Sequence, residues 1–507
     1  MVALVVLVGA LVSVAVAYAA TAGGSWPMGG QNISDTRSAS SKINPDNAKN
    51  LALKSKTATH GDVSATPALV DGALYFPDWA GYMYKVDADT GTVIWSHQVS
   101  EYVGVPNAVA RTSPTVDGDT VYIGDQNGGH LIALRTSDGT ARWVRDLGAR
   151  NPFMIDTESP IVRNGVVYVG LASSEEGAVA FIPGYPCCIS RGSFSAVDAA
   201  TGSVLWQTYT VPPGYSGGGV WSSTPAIDPA SNTIYITTGN NYSVPQSAKD
   251  CQENGGTAAQ CLPADDYVDS FVALDMTTGA VKWSKGVQGF DDWNVACIFN
   301  FFNPHACPQD AGPDYDFGSG PNLFTLTSKG KDRLVVGAGQ KSGQYWLLDA
   351  ATGQIVWSAS PGPGSTLGGI EWGTATDGKR IYVDETNYNR EAHQISDGST
   401  IHRSAYAALD AATGQVLWKV ADPHGGISLS PASVANGVMY VSSLDGWMYA
   451  LDAANGKVLW QYQGEGSSNA GPAIGDKTIY WGNGYSHLGI PEGTASHSFY
   501  AFSLNGN

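Results

Sequence analysis

The sequence predicts an all-β fold, an eight-bladed β-propeller of four-stranded antiparallel blades closed by its N-terminal strand. Three observations carry this: a motif that recurs seven times, hairpin signals upstream of most copies, and an eighth unit that lacks the motif's Trp. The motif is approximately Ala/Val-Leu-Asp-Ala-x-Thr-Gly-x-Val-x-Trp, and its copies end at Trp95, Trp143, Trp206, Trp283, Trp357, Trp418 and Trp460. Each copy reads as an alternating strand, a Gly turn and a second alternating strand. Stretches such as TPALVDGALYFP and SPTVDGDTVYIG add an upstream strand pair, and their Asp-Gly or Asn-Gly steps mark hairpins. One four-stranded sheet cannot bury both of its faces. Stacking such sheets in a ring buries them and leaves only short edges. The seven Trp are therefore read as rings packed between blades, not as chemistry. The eighth unit ends in SFYAFSLNGN, and the N-terminal SWPMGGQN carries a spare Trp26. Residues near Trp26 are expected to pair with the strand around Phe499–Leu504, so that residues 21–507 form a single propeller.

Composition agrees with short strands and tight turns: of 507 residues, 43% are hydrophobic, only 14% are charged and 62 are Gly. A net charge of −18 excludes nucleic acid as a partner, because phosphates would be repelled. Residues 1–20 hold an apolar run in which Ala17-Tyr18-Ala19 has the spacing of a signal cleavage site. No positive n-region precedes it, so both a signal peptide and an apolar anchor stay open. No later stretch reads as a membrane span. The expected location is periplasmic or secreted, without stable membrane insertion once a signal is removed. An even six cysteines in an exported chain point to disulfides. No Cys-x-x-Cys-His occurs, so the sequence carries no attachment site for a c-type haem.

The blade motif resembles that of the pyrroloquinoline quinone (PQQ)-dependent alcohol dehydrogenases, although scaffold proteins of bacterial outer-membrane assembly share it. The segments YPCCISRGSFSAVDAATG, WNVACIF with CPQDAGPDYDFG, GQKSGQYWLLD and GGIEWG resemble the polyvinyl alcohol dehydrogenase branch. The resemblance covers nearly all of the chain after its apolar start. It implies PQQ, a flat quinone with three carboxylates, and Ca²⁺ or a lanthanide held by oxygen ligands.

The resemblance then assigns residues. The adjacent Cys187 and Cys188 match a vicinal disulfide that caps one cofactor face, and Trp221 matches the platform under the other. Thr157 matches a cofactor-binding Thr, and Glu371-Trp372 a pair at the cofactor edge. Arg111 and Arg191 are candidates to pair with PQQ carboxylates through a planar fork. Glu175, Asn240, Asp314 and Asp316 match metal ligands, with Glu176 as the neighbour able to substitute for Glu175. Asp314 matches the catalytic base and Lys341, 27 residues later, the cation near the quinone oxygens. A rival alignment places Asn294 at the base position; an amide there lacks the basicity, and the Pro321 register supports Asp314. The expected disulfides are Cys187–Cys188, Cys251–Cys261 and Cys297–Cys307.

The implied activity is oxidation of a small or polymeric alcohol, with electrons passed to an external acceptor such as a cytochrome c. A PQQ-free binding scaffold and a sugar dehydrogenase on the same fold are the alternatives.

Overall fold

The computed structural model describes residues 24–328, 330–487 and 490–507; the apolar run read as signal or anchor lies outside them. Eight four-stranded sheets follow one another along the chain. Blades 1 to 7 span 68–98, 115–146, 161–209, 226–286, 322–359, 375–421 and 433–463. Blade 8 takes three strands from 473–504 and its outer strand, Leu51–Ala58, from the N-terminal region.

The repeat explains how blades are spaced. Asp-x-x-Thr closes five of the seven outer turns, as where Asp198 accepts from Thr201 N at 2.8 Å and Oγ1 at 2.7 Å. The Gly of the motif has φ of 69° to 74° in all seven copies. It also lies flat on the Trp of the preceding blade: a Cβ on Gly353 would meet the Trp283 ring at 2.6 Å. The same indole donates forward, Trp283 Nε1 to Ala350 O at 3.1 Å. Aspartate, glycine and tryptophan thus form one docking unit between neighbours. The inner hairpins turn as expected: Asn164-Gly165 and Asn436-Gly437 both have positive φ, as a type I′ turn requires.

Closure departs from the expectation in one respect. Leu51–Ala58, not the segment around Trp26, pairs with Ser498–Leu504, and Ser55 faces Ala501 at the position Trp occupies elsewhere. A Cβ on Gly91 of blade 1 would meet Ser55 at 2.9 Å, so the seam uses small side chains instead of a ring. Trp26 is fully buried and pairs with Leu69 of blade 1.

From there residues 26–43 run as a belt past the first strands of successive blades. Pro27 O accepts from Val116 N, Ile33 O from Ile227 N, Ser34 O from Leu323 N, Thr36 O from Thr376 N and Arg37 O from Val434 N. Lys42 N then donates to Asp476 O in blade 8. The buried Arg37 fastens the belt through Ala432 O at 2.7 Å and Gly29 O at 2.8 Å.

Candidate active site

Three insertions stand beside one another: 174–192 in blade 3, 238–269 in blade 4, and 287–321 between blades 4 and 5. They hold all six cysteines, bonded as Cys187–Cys188, Cys251–Cys261 and Cys297–Cys307.

Lys341 is the hub. Its Nζ lies 3.0 Å from Asp314 Oδ1 and 2.7 Å from Asp316 Oδ1, and 5.3 Å from the centre of the Trp221 ring. Trp221 is fixed in turn: its Nε1 donates to Asp316 Oδ2 at 2.7 Å, and its ring meets Trp372 edge-on at 5.4 Å. Gly318 and Gly239 exist to let these groups approach. A Cβ on Gly318 would meet Trp221 at 2.9 Å, and one on Gly239 would meet Asp316 Oδ2 at 2.7 Å. Asp314 adopts φ 60°, a left-handed conformation held by Asp291, whose carboxylate accepts from Asp314 N at 2.9 Å and Tyr315 N at 2.7 Å. Nothing in the sequence motifs pointed to Asp291.

The electrostatics follow from burying several carboxylates around one ammonium. Burial pushes the Asp314 carboxyl well up; Lys341 pulls it back, while Asp316 and Glu176 add to the rise. Glu176 and Glu371 are each pushed up to about 7 by burial, against the pull of Lys341. Burial alone would lower Lys341, but Asp314 and Asp316 outweigh it and hold the ammonium charged.

Glu175 and Glu176 part company. The Glu175 carboxylate is buried and spent on the disulfide loop, accepting from Tyr185 Oη at 2.9 Å, Ile189 N at 3.0 Å and Ser190 N at 2.7 Å. Glu176 is the one whose charge is felt by Lys341 and Asp316. Asn240 is buried, and its Nδ2 donates to Asn241 O and Trp293 O. Asn294 is not at the Lys341 cluster. It ties the 238–269 insertion to the 287–321 insertion, donating to Tyr242 O at 3.3 Å and Ala306 O at 3.0 Å and accepting from Ala296 N, and its Nδ2 lies 3.9 Å from Cys187 Sγ. Cys187 Sγ lies 3.8 Å from Tyr242 O, and the buried Tyr242 ring is in the field of Glu176, Asp316 and Lys341.

Arg111 stacks between Trp372, 4.4 Å from the ring centre, and Trp79 at 5.5 Å. It borders a shallow depression lined also by Ser64, Ser113, Thr157 and Trp372. Thr157 Oγ1 is buried there and has no partner among the described residues. Arg191 is not brought to this cluster: its guanidinium donates to Val211 O at 2.6 and 2.8 Å and lies over Tyr209.

The site can accept a flat, anionic ligand. Trp221 offers an aromatic face, Lys341 and Arg111 offer positive charge, and Thr157 offers an unused hydroxyl. Among the described residues, no three acidic, His or Cys side chains converge closely enough to ligate one ion as they stand. The donors near Lys341 are nonetheless all oxygens, and one ammonium is set among four carboxylates. That chemistry fits a hard cation.

A family profile described as outer membrane protein assembly factor BamB matches residues 29–285 and 341–490. Polyvinylalcohol dehydrogenase of Sphingopyxis sp. (strain 113P3) is 29% identical, over 78% of this chain and 60% of its own length. Polyvinylalcohol dehydrogenase of Pseudomonas sp is 26% identical, over 88% of this chain and 71% of its own. The chain thus spans about 60% to 71% of these relatives. The crystal structure of quinohemoprotein alcohol dehydrogenase from Comamonas testosteroni superposes with a TM-score of 0.72 at 21% identity, covering 96% of this chain and 81% of that one. Among the described residues no helix is long and apolar enough to cross a membrane.

Proposed function

The chain belongs to the propeller family described as outer membrane protein assembly factor BamB, and from its similarity to polyvinylalcohol dehydrogenases we propose that it is a PQQ-dependent alcohol dehydrogenase that oxidises an alcohol at the Lys341 cluster. The observation that carries the reading is Lys341 bridging Asp314 and Asp316 over the face of Trp221.

PQQ, when bound, supplies the acceptor for the substrate's carbon-bound hydrogen, and Ca²⁺ or a lanthanide supplies further positive charge. Trp221 is the platform, Cys187–Cys188 the cover, and Thr157, Arg111, Glu371 and Trp372 the edge. Asp314, Asp316, Glu176 and Asn240 are the oxygen donors that would hold the cation, and Glu175 acts through the loop it anchors. Lys341 opposes the protonation that burial favours at Asp314 and engages its Oδ1, which leaves Oδ2, when ionised, to take the substrate's hydroxyl proton. Asp291 fixes that carboxylate by holding its backbone. The substrate is a primary or secondary alcohol, with polymeric alcohols included on the strength of the relatives' names. Electrons leave for a separate acceptor such as a cytochrome c, in a periplasmic or secreted setting.

The test is Asp314→Asn in PQQ- and Ca²⁺-loaded protein with a dye acceptor. Turnover of a short alcohol should fall by at least about 10²–10⁴ with the melting temperature kept. Retained turnover would remove Asp314 from the mechanism. If added PQQ and Ca²⁺ leave the protein's absorption spectrum unchanged, the reading gives way to a binding scaffold.

A further inference from the structure

Blade 6 buries an ion cluster that the proposed reaction leaves unused. Lys419, from its outer strand, and Glu385, from its second strand, are both buried. The Lys419 ammonium lies 3.3 Å from Glu385 Oε2 and donates to His393 Nδ1 and to Pro361 O. The other nitrogen fixes the His393 tautomer: Nε2 is 2.9 Å from Arg403 O, and a carbonyl can only accept. Nε2 therefore carries the proton, and Nδ1 is the acceptor that an ammonium needs. Burial, with Lys419 and His402 nearby, holds the ring below its ordinary 6.5 and so neutral, against the bond to Arg403 O. Burial pushes the Glu385 carboxyl up to about 7 while Lys419 pulls it back, so the carboxylate depends on the ammonium.

Pro361 opens the stretch Pro-Gly-Pro-Gly at 361–364, between blades 5 and 6. Neither Pro has an N–H, and among the described residues neither Gly N–H donates to a backbone carbonyl. Such a stretch takes its shape from what holds it. On one side Gly362 lies against Glu385, where a Cβ would come within 1.5 Å of Oε1. On the other side the stretch lies on the backbone of Lys341 and its neighbours. A Cβ on Gly364 would meet Ser342 O at 2.6 Å, and one on Gly343 would meet Gly362 O at 2.4 Å. Ser365 N donates to Lys341 O at 3.0 Å. We propose that Lys419 is a positioning residue for Lys341: through Pro361 O it clamps 361–365 onto the backbone that carries the ammonium of the site. This rests on the alcohol-oxidising reading for what Lys341 does. Glu385 and neutral His393 hold the Lys419 ammonium in place for that bond.

The experiment uses the full chain, Lys419→Met, which removes the donor, and Lys419→Met/Glu385→Gln, which also removes the carboxylate left unpaired. A buried charge without its partner is costly, whereas an uncharged pair of similar volume is not. The single variant should therefore melt lower, and the double variant should recover most of the loss. A role in stability alone would bring every other property back with it. The clamp predicts otherwise, because Pro361 O has lost its ammonium in both. Hydrogen exchange of the unloaded protein, read by mass spectrometry over 361–370, should show protection about tenfold or more below wild type in both variants. In loaded protein with a dye acceptor, both should lower kcat for a short alcohol by a similar factor. If the single variant does not fold, the double variant carries the test. Wild-type protection over 361–370 in the double variant overturns the proposal. So does protection lost in both variants with kcat unchanged in a protein that oxidises alcohol, and the alcohol-oxidising reading then survives without it. If loaded wild type oxidises no alcohol while both variants lose protection, the clamp stands and the catalytic reading falls.

Discussion

Adjacent carboxylates do different work in this site. Glu175 and Glu176 open the same short helix, Glu175–Phe181. Successive helical positions point about 100° apart, so only one of the two can turn inward to the disulfide loop while the other faces Lys341. Glu175→Gln should lower the melting temperature and speed reduction of Cys187–Cys188 by a mild thiol, because the buried amide cannot accept from both backbone N–H groups and the Tyr185 hydroxyl. Glu176→Gln should leave stability nearly unchanged and weaken Ca²⁺ binding measured by calorimetry. Equal Ca²⁺ affinity in Glu176→Gln would return the ligand role to Glu175. The sequence shows two glutamates and a register; it does not show which one the loop recruits. The same limit applied to Arg191, whose guanidinium turned to Val211 O. It applied to Asn294 as well, which became a knot of three backbone contacts beneath the disulfide. Lys341, Asp314 and Trp221 were legible because each belongs to a segment whose spacing is constrained on both sides by blade motifs.

At the scale of the strand, the blade is a sequence-local object. A Trp, a Gly and an Asp-x-x-Thr turn lie within about a dozen residues, so periodicity sufficed to place them. Pairs outside the repeat were invisible to it. Asp125, fully buried, accepts from His130 N at 2.7 Å and from His130 Nδ1 at 3.0 Å, at the start of the third strand of blade 2, His130–Arg135. The hydrogen bond to Asp125 raises the His130 pKa above its ordinary 6.5, with burial opposing. A raised folded-state value means that stability from the protonated pair is fully present below about pH 6.5 and disappears as pH rises through the raised value. The melting temperature of wild type relative to His130→Gln should therefore be highest near pH 5.5 and shrink towards pH 8.5. A difference that grows with pH would show that the neutral imidazole is the stabilising form.

The ring as a whole was read correctly in number and in being closed by an N-terminal strand, and incorrectly in which segment supplies that strand. Counting tryptophans located seven outer strands, and a spare Trp near the N-terminus suggested the eighth. The actual eighth, LALKSKTA, offers no aromatic signal because Ser55 sits where the ring would be. Trp26 serves the belt instead. Deleting residues 24–40 should lower the melting temperature by more than 10 °C, since it removes backbone bonds to the first strands of six blades and the buried Arg37 anchor. The eighth sheet itself should survive, because Leu51–Ala58 remains. Circular dichroism would then keep its β signal while differential scanning shows the drop. An unchanged transition would mean that the belt is carried passively by a ring already stable without it.

The belt and the seam also govern the order of events in synthesis. Leu51–Ala58 leaves the ribosome some 440 residues ahead of its partner, Ser498–Leu504. At about 5–20 residues per second, that early strand stays unpaired for tens of seconds, with an open ladder edge of the kind that invites wrong pairing. Blades 1 to 7 can form in sequence from local contacts. The belt cannot seat until the blades it passes exist, and the circle cannot shut until both ends are present. A nascent chain stalled short of residue 498 should therefore be digested by protease at Leu51–Ala58, whereas a chain that has emerged past residue 504 should resist there, which makes the arrival of one distant strand the step that protects another.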